Sequence, residues 1–256
     1  MAMNSRTEAL QHKLASFIDL DSTDVAVLRD LFDKPNEVYH RGRDLVVEGE
    51  PYRCGFVLLD GWAISYKTMA DGTRQILSYL MPGDIVGMFA AVAPIAAASV
   101  AALERVEVAP FAPDAIVTTI ARAPRVGLGL SWVAAREQEI LAEHLVSVGQ
   151  RHASGRIAHL LLEFWTRLQI RGLASRATFS APVTQADIAD TLGLSVVHVN
   201  RTLRALREQG VLENRRHDML IQDLDRLQAL AGFSQDFLLN HYAPEPIRRR
   251  IDCIAG

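Results

Sequence analysis

Most of the candidate functional side chains of this 256-residue chain lie in one stretch, between Pro182 and Leu212. Thr184, followed three residues later by Asp187, is typical of a helix start at which a hydroxyl and a carboxylate each satisfy a backbone N–H. Gly193 then supplies a tight turn, and Ser195 caps a second helix. The stretch therefore predicts two short helices joined by a glycine turn, a geometry that places one helix in the major groove of DNA.

The second of these helices has two distinct faces when its residues are placed at about 100° intervals. One face is apolar and predicts the buried side, with Val199, Leu203 and Leu206. The opposite face carries Val197 and Arg201, and these residue types suit a thymine methyl and guanine O6/N7. The predicted DNA contacts of the helix pair are Thr184, Gln185, Ser195, Val196, Val197, His198, Asn200, Arg201 and Arg204.

Two short strands follow the helix pair. Val211–Glu213 and Met219–Gln222 read as strands, and the residues between them form a loop that contains Arg215 and Arg216. This pattern predicts a winged helix, with the two arginines at the wing tip as phosphate contacts.

A long helical pattern precedes this region. Apolar residues recur at threes and fours from Leu130 to Val148 without Gly or Pro. A helix of that length with one modest apolar stripe predicts a connector that pairs with its twin, although Glu137 and His144 interrupt the stripe. The predicted dimer helix carries Leu130, Val133, Glu137, Ile140, Leu141, His144 and Val148. A second helix is expected from about Ala153 to Arg171.

The N-terminal part must hold a different kind of structure. One weakly amphipathic helix is expected over residues 7–33, and from Glu37 to about Phe111 short β-type segments alternate with turns. Asp60-Gly61 and Asp71-Gly72 are hairpin signals, because a tight primed turn needs positive φ. Several short strands at this spacing predict a small antiparallel roll or barrel.

Composition limits the function classes. The net charge is −3, which argues against indiscriminate nucleic-acid binding, but residues 152–256 carry 13 arginines against 11 acidic residues. Two cysteines cannot form an iron–sulfur or four-ligand zinc site, and the eight histidines show no metal-binding spacing.

The uncharged stretch Ile85–Leu103 is mostly alanine with Gly87 and Pro94, so no membrane span is expected. Met1–Asp24 lacks a secretory pattern, and we expect a cytoplasmic protein.

These motifs resemble the Crp/Fnr superfamily of bacterial transcription regulators. Residues 182–222 look like its winged helix, and Arg41–Gly87, with Leu45-Val-Val-Glu-Gly-Glu50 and Pro82-Gly-Asp-Ile-Val-Gly87, resembles its cyclic-nucleotide-binding-type β-roll. The resemblance implies an α+β fold with an N-terminal antiparallel β-roll, a long dimerisation helix and a C-terminal winged helix-turn-helix. The expected domains are 1–124, 125–150 and 151–232, followed by a C-terminal extension, 233–256.

The resemblance also implies how DNA is bound. A homodimer would place one recognition helix in each half-site of a near-palindromic operator. Val197 stands where the family commonly has Glu, which accepts from a cytosine amino group, so a different base is expected there. Arg248–Arg250 lie beyond the resemblance and are either a solvated helix end or an added phosphate or partner contact.

The effector site departs from the family pattern. Cyclic-AMP-responsive members have Glu where this chain has Met88, and an Arg-Ser or Arg-Thr pair at about Ala96-Ala97. An anionic phosphate without Arg would be desolvated and unpaired, so a response to cyclic AMP is not expected. The candidate pocket residues are Gly87, Met88, Phe89, Ala96 and Ala97. They either admit a small apolar effector or form a collapsed region, with activity set by expression level or a partner.

No cofactor is expected, since the Fnr-type cysteine cluster is absent. Haem is not excluded, and His40, Cys54 and Met88 are its candidate ligands. No catalytic constellation is visible, so an enzyme is not expected, and a regulatory module of an enzyme or channel ranks far behind. The expected partners are double-stranded DNA and a second copy of the chain, with RNA polymerase as a further candidate.

Overall fold

The structure is a computed structural model that describes residues 2–175, 177–215, 217–239, 243–247 and 250. The described residues form two compact units. The first unit holds those up to Lys67, those of Ser78–Ala135 and those after Leu239, and the second holds those of Thr68–Leu77 and Arg136–Leu239.

Helices and strands alternate in blocks along the described chain. The helices are α1 (Ala2–Ala15), α2 (Ser22–Asp30), α3 (Ala115–Arg122), α4 (Pro124–Gln150), α5 (Ala153–Ile170), α6 (Gln185–Leu192), α7 (Val196–Glu208) and α8 (Leu224–Ala231). The strands are β1 (Glu37–Tyr39), β2 (Asp44–Val46), β3 (Gly55–Asp60), β4 (Ala63–Thr68), β5 (Arg74–Leu80), β6 (Ile85–Val86), β7 (Ser99–Ala102), β8 (Val106–Phe111), β9 (Thr178–Ser180), β10 (Leu212–Arg215) and β11 (Asp218–Ile221).

The N-terminal helical region consists of two helices rather than the single one expected over residues 7–33. Asp21 separates them, because its carboxylate accepts hydrogen bonds from the backbone N–H groups of Thr23 and Asp24 and so starts α2 anew. The Asp24 carboxylate accepts in return from the Asp21 N–H. A capping box of this kind fixes a helix start. The apolar periodicity of the sequence therefore runs across the break between α1 and α2.

The predicted antiparallel roll is confirmed as two four-stranded sheets. Their strand orders are β1-β8-β3-β6 and β2-β7-β4-β5. All eight of these strands lie within the range from Glu37 to Phe111 in which short strands were expected. The uncharged stretch Ile85–Leu103 begins with β6 and contains β7, and all four residues of β7 are buried, which accounts for the lack of charge in that strand.

The two Asp-Gly turns have different roles. Asp71-Gly72 joins β4 to β5, which are neighbours in one sheet, as predicted. The hairpin expected at Asp60-Gly61 is wrong, because β3 and β4 lie in different sheets and the turn carries the chain from one to the other. Gly61 has φ +78°, and a Cβ there would collide with the backbone carbonyl oxygen of Arg105. The turn therefore needs glycine for both its φ angle and its close approach.

Two apolar clusters hold the first unit together. One lies inside the roll, around Phe56, Leu58 and Val108. The other packs α1 and α2 against the start of α4, with Leu10, Leu28 and Leu130 among its buried members. The C-terminal extension contributes as well, since Ala243 is buried beside Phe17 and donates its N–H to the Phe17 carbonyl at 2.8 Å.

The second unit is built around α5. Twelve of its eighteen residues are buried, and it packs against α8 and α7. The helix predicted from Leu130 to Val148 is confirmed as part of one continuous helix, α4, of 27 residues. None of the helices in the described ranges is both long enough and apolar enough to cross a bilayer.

Candidate nucleic-acid interface

The predicted capping box opens α6. The Thr184 hydroxyl accepts from the Asp187 N–H at 3.1 Å, and the Asp187 carboxylate accepts from the Thr184 N–H at 2.9 Å. Thr184 has an extended backbone, as an N-cap requires. Three residues of α6, Ile188, Ala189 and Leu192, are buried. The helix is therefore held by packing on its apolar face and by the cap at its start.

The turn and the second helix also follow the prediction. Gly193 ends α6 in the left-handed conformation, with φ +61°. The Ser195 hydroxyl accepts from the His198 N–H at 3.2 Å and caps α7. Val199, Leu203 and Leu206 are all buried on one face of α7. The helix pair therefore has the geometry of a helix-turn-helix, with the second helix held by its apolar side.

The opposite face of α7 is open to solvent. Val197 is 68% exposed, and Arg201 and Arg204 are exposed as well. Arg204 forms an ion pair with Glu208 one turn later, at 2.8 Å. Val197 and Arg201 are therefore one turn apart on a solvent-facing surface near the start of the helix, where a recognition helix contacts bases.

The flanks of this face carry the other predicted contacts. Ser195, Val196, His198 and Asn200 are exposed, and Thr184 and Gln185 are half-buried. The structure adds one link that the sequence did not indicate, because Asn200 donates from Nδ2 to Gln185 Oε1 at 3.1 Å. This bond joins the first residue of α6 to the exposed side of α7.

The wing is present as a three-stranded antiparallel sheet. β11 lies between β10 and β9, with Leu212 opposite Ile221 and Met219 opposite Phe179. The predicted phosphate contacts at its tip lie at the limit of the described residues. The backbone of Arg215 belongs to β10, but its side chain and all of Arg216 lie outside the described part.

A basic side chain from far away in the sequence also reaches α6. Arg74 at the start of β5 lies 2.8 Å from Asp187 and 2.9 Å from Asp190. Gln75 donates to the Thr191 carbonyl at 3.0 Å. Nothing in the local pattern around Arg74 predicts this contact, since its partners are more than a hundred residues away.

The predicted dimer helix has two apolar sides. Leu130, Val133 and Ile140 are buried against their own chain, and Glu137 is half-buried. His144, which was expected to interrupt a seam, is buried too. The large apolar residues left exposed on the C-terminal half of α4 are Leu141, Leu145, Val146 and Val148, which are 52%, 74%, 45% and 36% exposed. The apolar row available to a partner is thus shorter than the predicted stripe and lies on the C-terminal half of the helix.

The candidate pocket residues are not gathered on one buried surface. Met88 packs against the α1–α2–α4 cluster, whereas Ala96 lies inside the roll. Phe89 and Ala97 are exposed, and Gly87 is held at φ +72° in a turn. Of the other haem-ligand candidates, His40 is exposed and Cys54 is half-buried, with burial raising the pKa of the thiol. No group of three metal-binding side chains occurs within the described ranges.

Comparison with known proteins matches both parts of the chain to described families. Residues 155–230 match the Crp-like helix-turn-helix domain, and residues 36–122 match the cyclic nucleotide-binding domain. The chain is 30% identical over 213 residues to the nitrogen fixation regulation protein FixK of Bradyrhizobium diazoefficiens, covering 82% of the chain and 88% of the relative. It is 29% identical over 221 residues to the transcriptional activator protein FnrL of Cereibacter sphaeroides, covering 84% and 87%.

A solved structure agrees with these matches. The structure of FixK2 from Bradyrhizobium japonicum superposes with a TM-score of 0.70 at 26% identity. It covers 78% of this chain and 98% of FixK2. The relatives therefore match most of the chain rather than the helix-turn-helix alone.

Proposed function

This chain belongs to the Crp/Fnr family of DNA-binding transcription regulators, and from that premise we propose that two copies pair through α4 and bind a near-palindromic operator. Each copy would place its α7 in the major groove of one half-site. Since helix-turn-helix dimers bind half-sites about one helical turn apart, the operator symmetry would mirror the symmetry of the dimer.

The observation that carries this proposal is the exposed pair Val197 and Arg201. A valine that is 68% exposed is stabilised little by burial in its own chain, whereas it suits the thymine methyl in a groove. Arg201 lies one turn further along the same face and has the donor fork that recognises guanine. These two side chains are the proposed base readers.

The remaining contacts would position the helix rather than read bases. Gln185 is the first residue of α6, where amide groups favour phosphate, and the sequence pattern assigns Arg215 and Arg216 to the predicted wing tip. Contacts with phosphate fix register and orientation but carry little sequence information. We therefore assign affinity to these residues and specificity to α7.

The exposed row on α4 supports pairing. Leu141, Leu145 and Val148 follow one another at intervals of four and three residues, so they lie on one face. A row of exposed apolar residues at this helical spacing is typical of a helix-pairing seam. Both the exposure and the spacing favour a second copy of α4 as the partner.

The effector is proposed not to be cyclic AMP, and no resident cofactor is proposed. Met88, Ala96 and Ala97 offer no carboxylate for a ribose and no guanidinium for a phosphate, so a bound cyclic nucleotide would leave its charge unpaired. RNA polymerase is proposed as a further partner because FnrL is named a transcriptional activator. The proposed place of action is the cytoplasm.

Genome-wide mapping of bound DNA tests the proposal directly. We expect a near-palindromic motif, and sedimentation of the protein with one such fragment should give two protomers per operator. A motif with a single half-site bound by one protomer would contradict the dimer, and the lack of any enriched motif would contradict sequence-specific binding.

A further inference from the structure

A buried charged cluster joins α4, α5 and the middle of β5 within the second unit. His144 on α4 is 9% exposed, and Glu163 on α5 is fully buried. His144 Nε2 lies 2.6 Å from Glu163 Oε2, and His144 Nδ1 lies 3.0 Å from the Leu77 carbonyl oxygen. Arg167 on α5 completes the cluster, with Nη1 3.1 Å from the other Glu163 oxygen.

Both ring nitrogens of His144 face atoms that can only accept. A backbone carbonyl and an ionised carboxylate each need an N–H, so the imidazole satisfies both only when it carries two hydrogens and a positive charge. Burial by itself lowers the pKa of His144, but the Glu163 carboxylate outweighs it, and the pKa lies above its ordinary value. The arrangement is thus that of an imidazolium between two acceptors.

The second of these acceptors belongs to a segment that also holds the helix-turn-helix. We call residues 68–77 the docking arm. Leu77 at one end bonds His144, while Arg74 bridges Asp187 and Asp190 and Gln75 reaches the Thr191 carbonyl. The docking arm therefore has four side-chain-mediated attachments, one to the charged cluster and three to α6.

These attachments leave the predicted DNA contacts open. Val197 and Arg201 are exposed with the arm in place, and Gln185 at the start of α6 remains bonded to Asn200. The arm thus holds α6 without covering the reading face. Fixing a binding element in place lowers the entropy lost on binding, so an attached arm favours DNA binding.

We propose that His144 is a proton-controlled clasp, which fastens the docking arm to α5 when doubly protonated and releases it on losing a proton, with weaker operator binding as the result. The groups that face the ring are Glu163, Arg167 and His159 on α5 and the Leu77 carbonyl on β5. The inference rests on the proposed operator binding for its functional consequence.

Neutral His144 can keep only one of its two bonds. A hydrogen bond to a charged group is stronger than one to a neutral carbonyl. The single remaining hydrogen is therefore retained at Nε2, facing Glu163, and Nδ1 then presents a lone pair to the Leu77 oxygen. Repulsion between these two acceptors detaches the arm at Leu77.

The direction with pH follows from the raised pKa. Attachment is fully present below the ordinary histidine pKa of 6.5 and is lost as the pH rises through the higher value in the folded chain. Operator binding should therefore weaken on the alkaline side. Exposed His152, within the described part of the chain, offers a matched comparison because its side chain makes no hydrogen bond at the start of α5.

Operator affinity of the full-length protein, measured from pH 6.5 to about pH 9, tests the clasp. Over this pH range we expect the dissociation constant of the wild type to rise about tenfold more than that of His144→Gln. The variant should bind weakly, and equally so at every pH. His152→Gln should keep the wild-type profile. The double variant His144→Gln/Glu163→Gln removes the charge from both partners and should show the same flat profile in a folded protein. Parallel profiles for wild type and His144→Gln would overturn the proposal, as would tighter binding by the variant.

Hydrogen exchange of residues 68–77 gives a readout that does not depend on DNA. After correction for intrinsic exchange rates, we expect these amides to lose protection in His144→Gln, in Arg74→Ala and in wild type at alkaline pH. Unchanged protection in His144→Gln would refute the clasp even if the operator is bound. If the wild type binds no operator at any pH, the proposed function fails while this measurement still decides the clasp.

Discussion

Asn200 and Gln185 are joined by a hydrogen bond of 3.1 Å across the two helices of the helix-turn-helix. Asn200 uses its Nδ2 and Gln185 its Oε1, so the Gln185 amide nitrogen stays available to donate elsewhere. A phosphate oxygen is an acceptor that this nitrogen could serve at the N-terminus of α6. The bond thus couples a proposed phosphate contact to the recognition helix.

We predict that these two residues contribute non-additively to DNA binding. Gln185→Ala and Asn200→Ala should each weaken operator binding, and the double variant should lose about 0.5–1 kcal/mol less than the sum. A double-mutant cycle by fluorescence anisotropy measures this coupling. Gln209→Ala is the matched control, because Gln209 is an exposed amide at the C-cap of α7 whose side chain accepts from Arg226 and not from α6. Strict additivity would show that the bond does not persist in the complex.

Specificity should reside at Arg201 and Val197. Arg201→Ala should lose about 1–3 kcal/mol of operator affinity and relax the preference at one guanine per half-site, whereas Arg216→Ala should weaken all sequences alike. Val197→Glu should move its base preference toward cytosine. Selection of bound random oligonucleotides with each variant checks this, with exposed Arg53→Ala in the first unit as the charge-matched control. Equal losses across all sequences for both Arg201→Ala and Arg216→Ala would contradict the assignment.

Dimerisation should depend on the open side of α4. Leu145→Glu replaces a side chain that is 74% exposed, so it should leave the protomer folded but reduce pairing, because it places an unpaired charge in the seam. Ile140→Glu should instead destabilise the chain itself by several kcal/mol, since Ile140 is 6% exposed. Sedimentation and denaturant unfolding separate the two effects, and exposed Gln138→Glu serves as the control. A wild-type protein that remains monomeric at micromolar concentration with operator present would refute pairing.

The sensor part should not bind cyclic AMP. The residues at the ribose and phosphate positions, Met88, Ala96 and Ala97, provide no charge to pair with the nucleotide. Isothermal titration should give no heat of binding at micromolar cyclic AMP. Saturable binding in that range would prove this wrong.

Acid should destabilise the second unit through His159. Burial and the nearby Arg151 lower the pKa of His159 to about 4, so the folded state holds fewer protons than the unfolded state below pH 6.5. The free energy of unfolding should therefore fall as the pH drops from 6.5 toward 4. In His159→Gln that part of the pH dependence should vanish, while His152→Gln should keep it. Denaturant unfolding at a series of pH values decides between these outcomes.

Glu163 adds a second step at lower pH. Burial alone would raise the pKa of its carboxyl, but His144 and Arg167 lower it to about 2. The contribution of Glu163 to the free energy of unfolding is present above the ordinary carboxyl pKa of 4.5. It is lost as the pH falls through the pKa of the folded chain. The raised pKa of His144 means that its contribution to stability is lost as the pH rises. The charged cluster is therefore most stable between the folded-state pKa of Glu163 and that of His144.

The helix-turn-helix could be predicted because its signals are local. Thr184 with Asp187, Gly193 and Ser195 each act on backbone groups within a few residues, and all of these predictions are confirmed. The docking arm could not be predicted in this way. Its contact between Arg74 and Asp187 depends on tertiary packing that no sequence period encodes.

The apolar stripe of α4 shows a second limit of prediction from sequence. Apolar periodicity marks which residues avoid water, but it does not distinguish burial in the same chain from burial against a partner. Leu130 and Leu145 carry the same signal, yet one is 2% and the other 74% exposed. Only the folded chain separates these two classes.

The turn at Gly61 has a genetic consequence. Every missense change in a glycine codon introduces a residue that carries a Cβ, and none of these residues fits beside the Arg105 carbonyl at φ +78°. Missense alleles at this codon should accordingly be recovered as loss-of-function mutations in an unbiased screen, although the position lies in a different unit from every proposed DNA contact. The side chain of neighbouring Asp60 is 72% exposed. Most substitutions there should retain function and should not be recovered in the same screen.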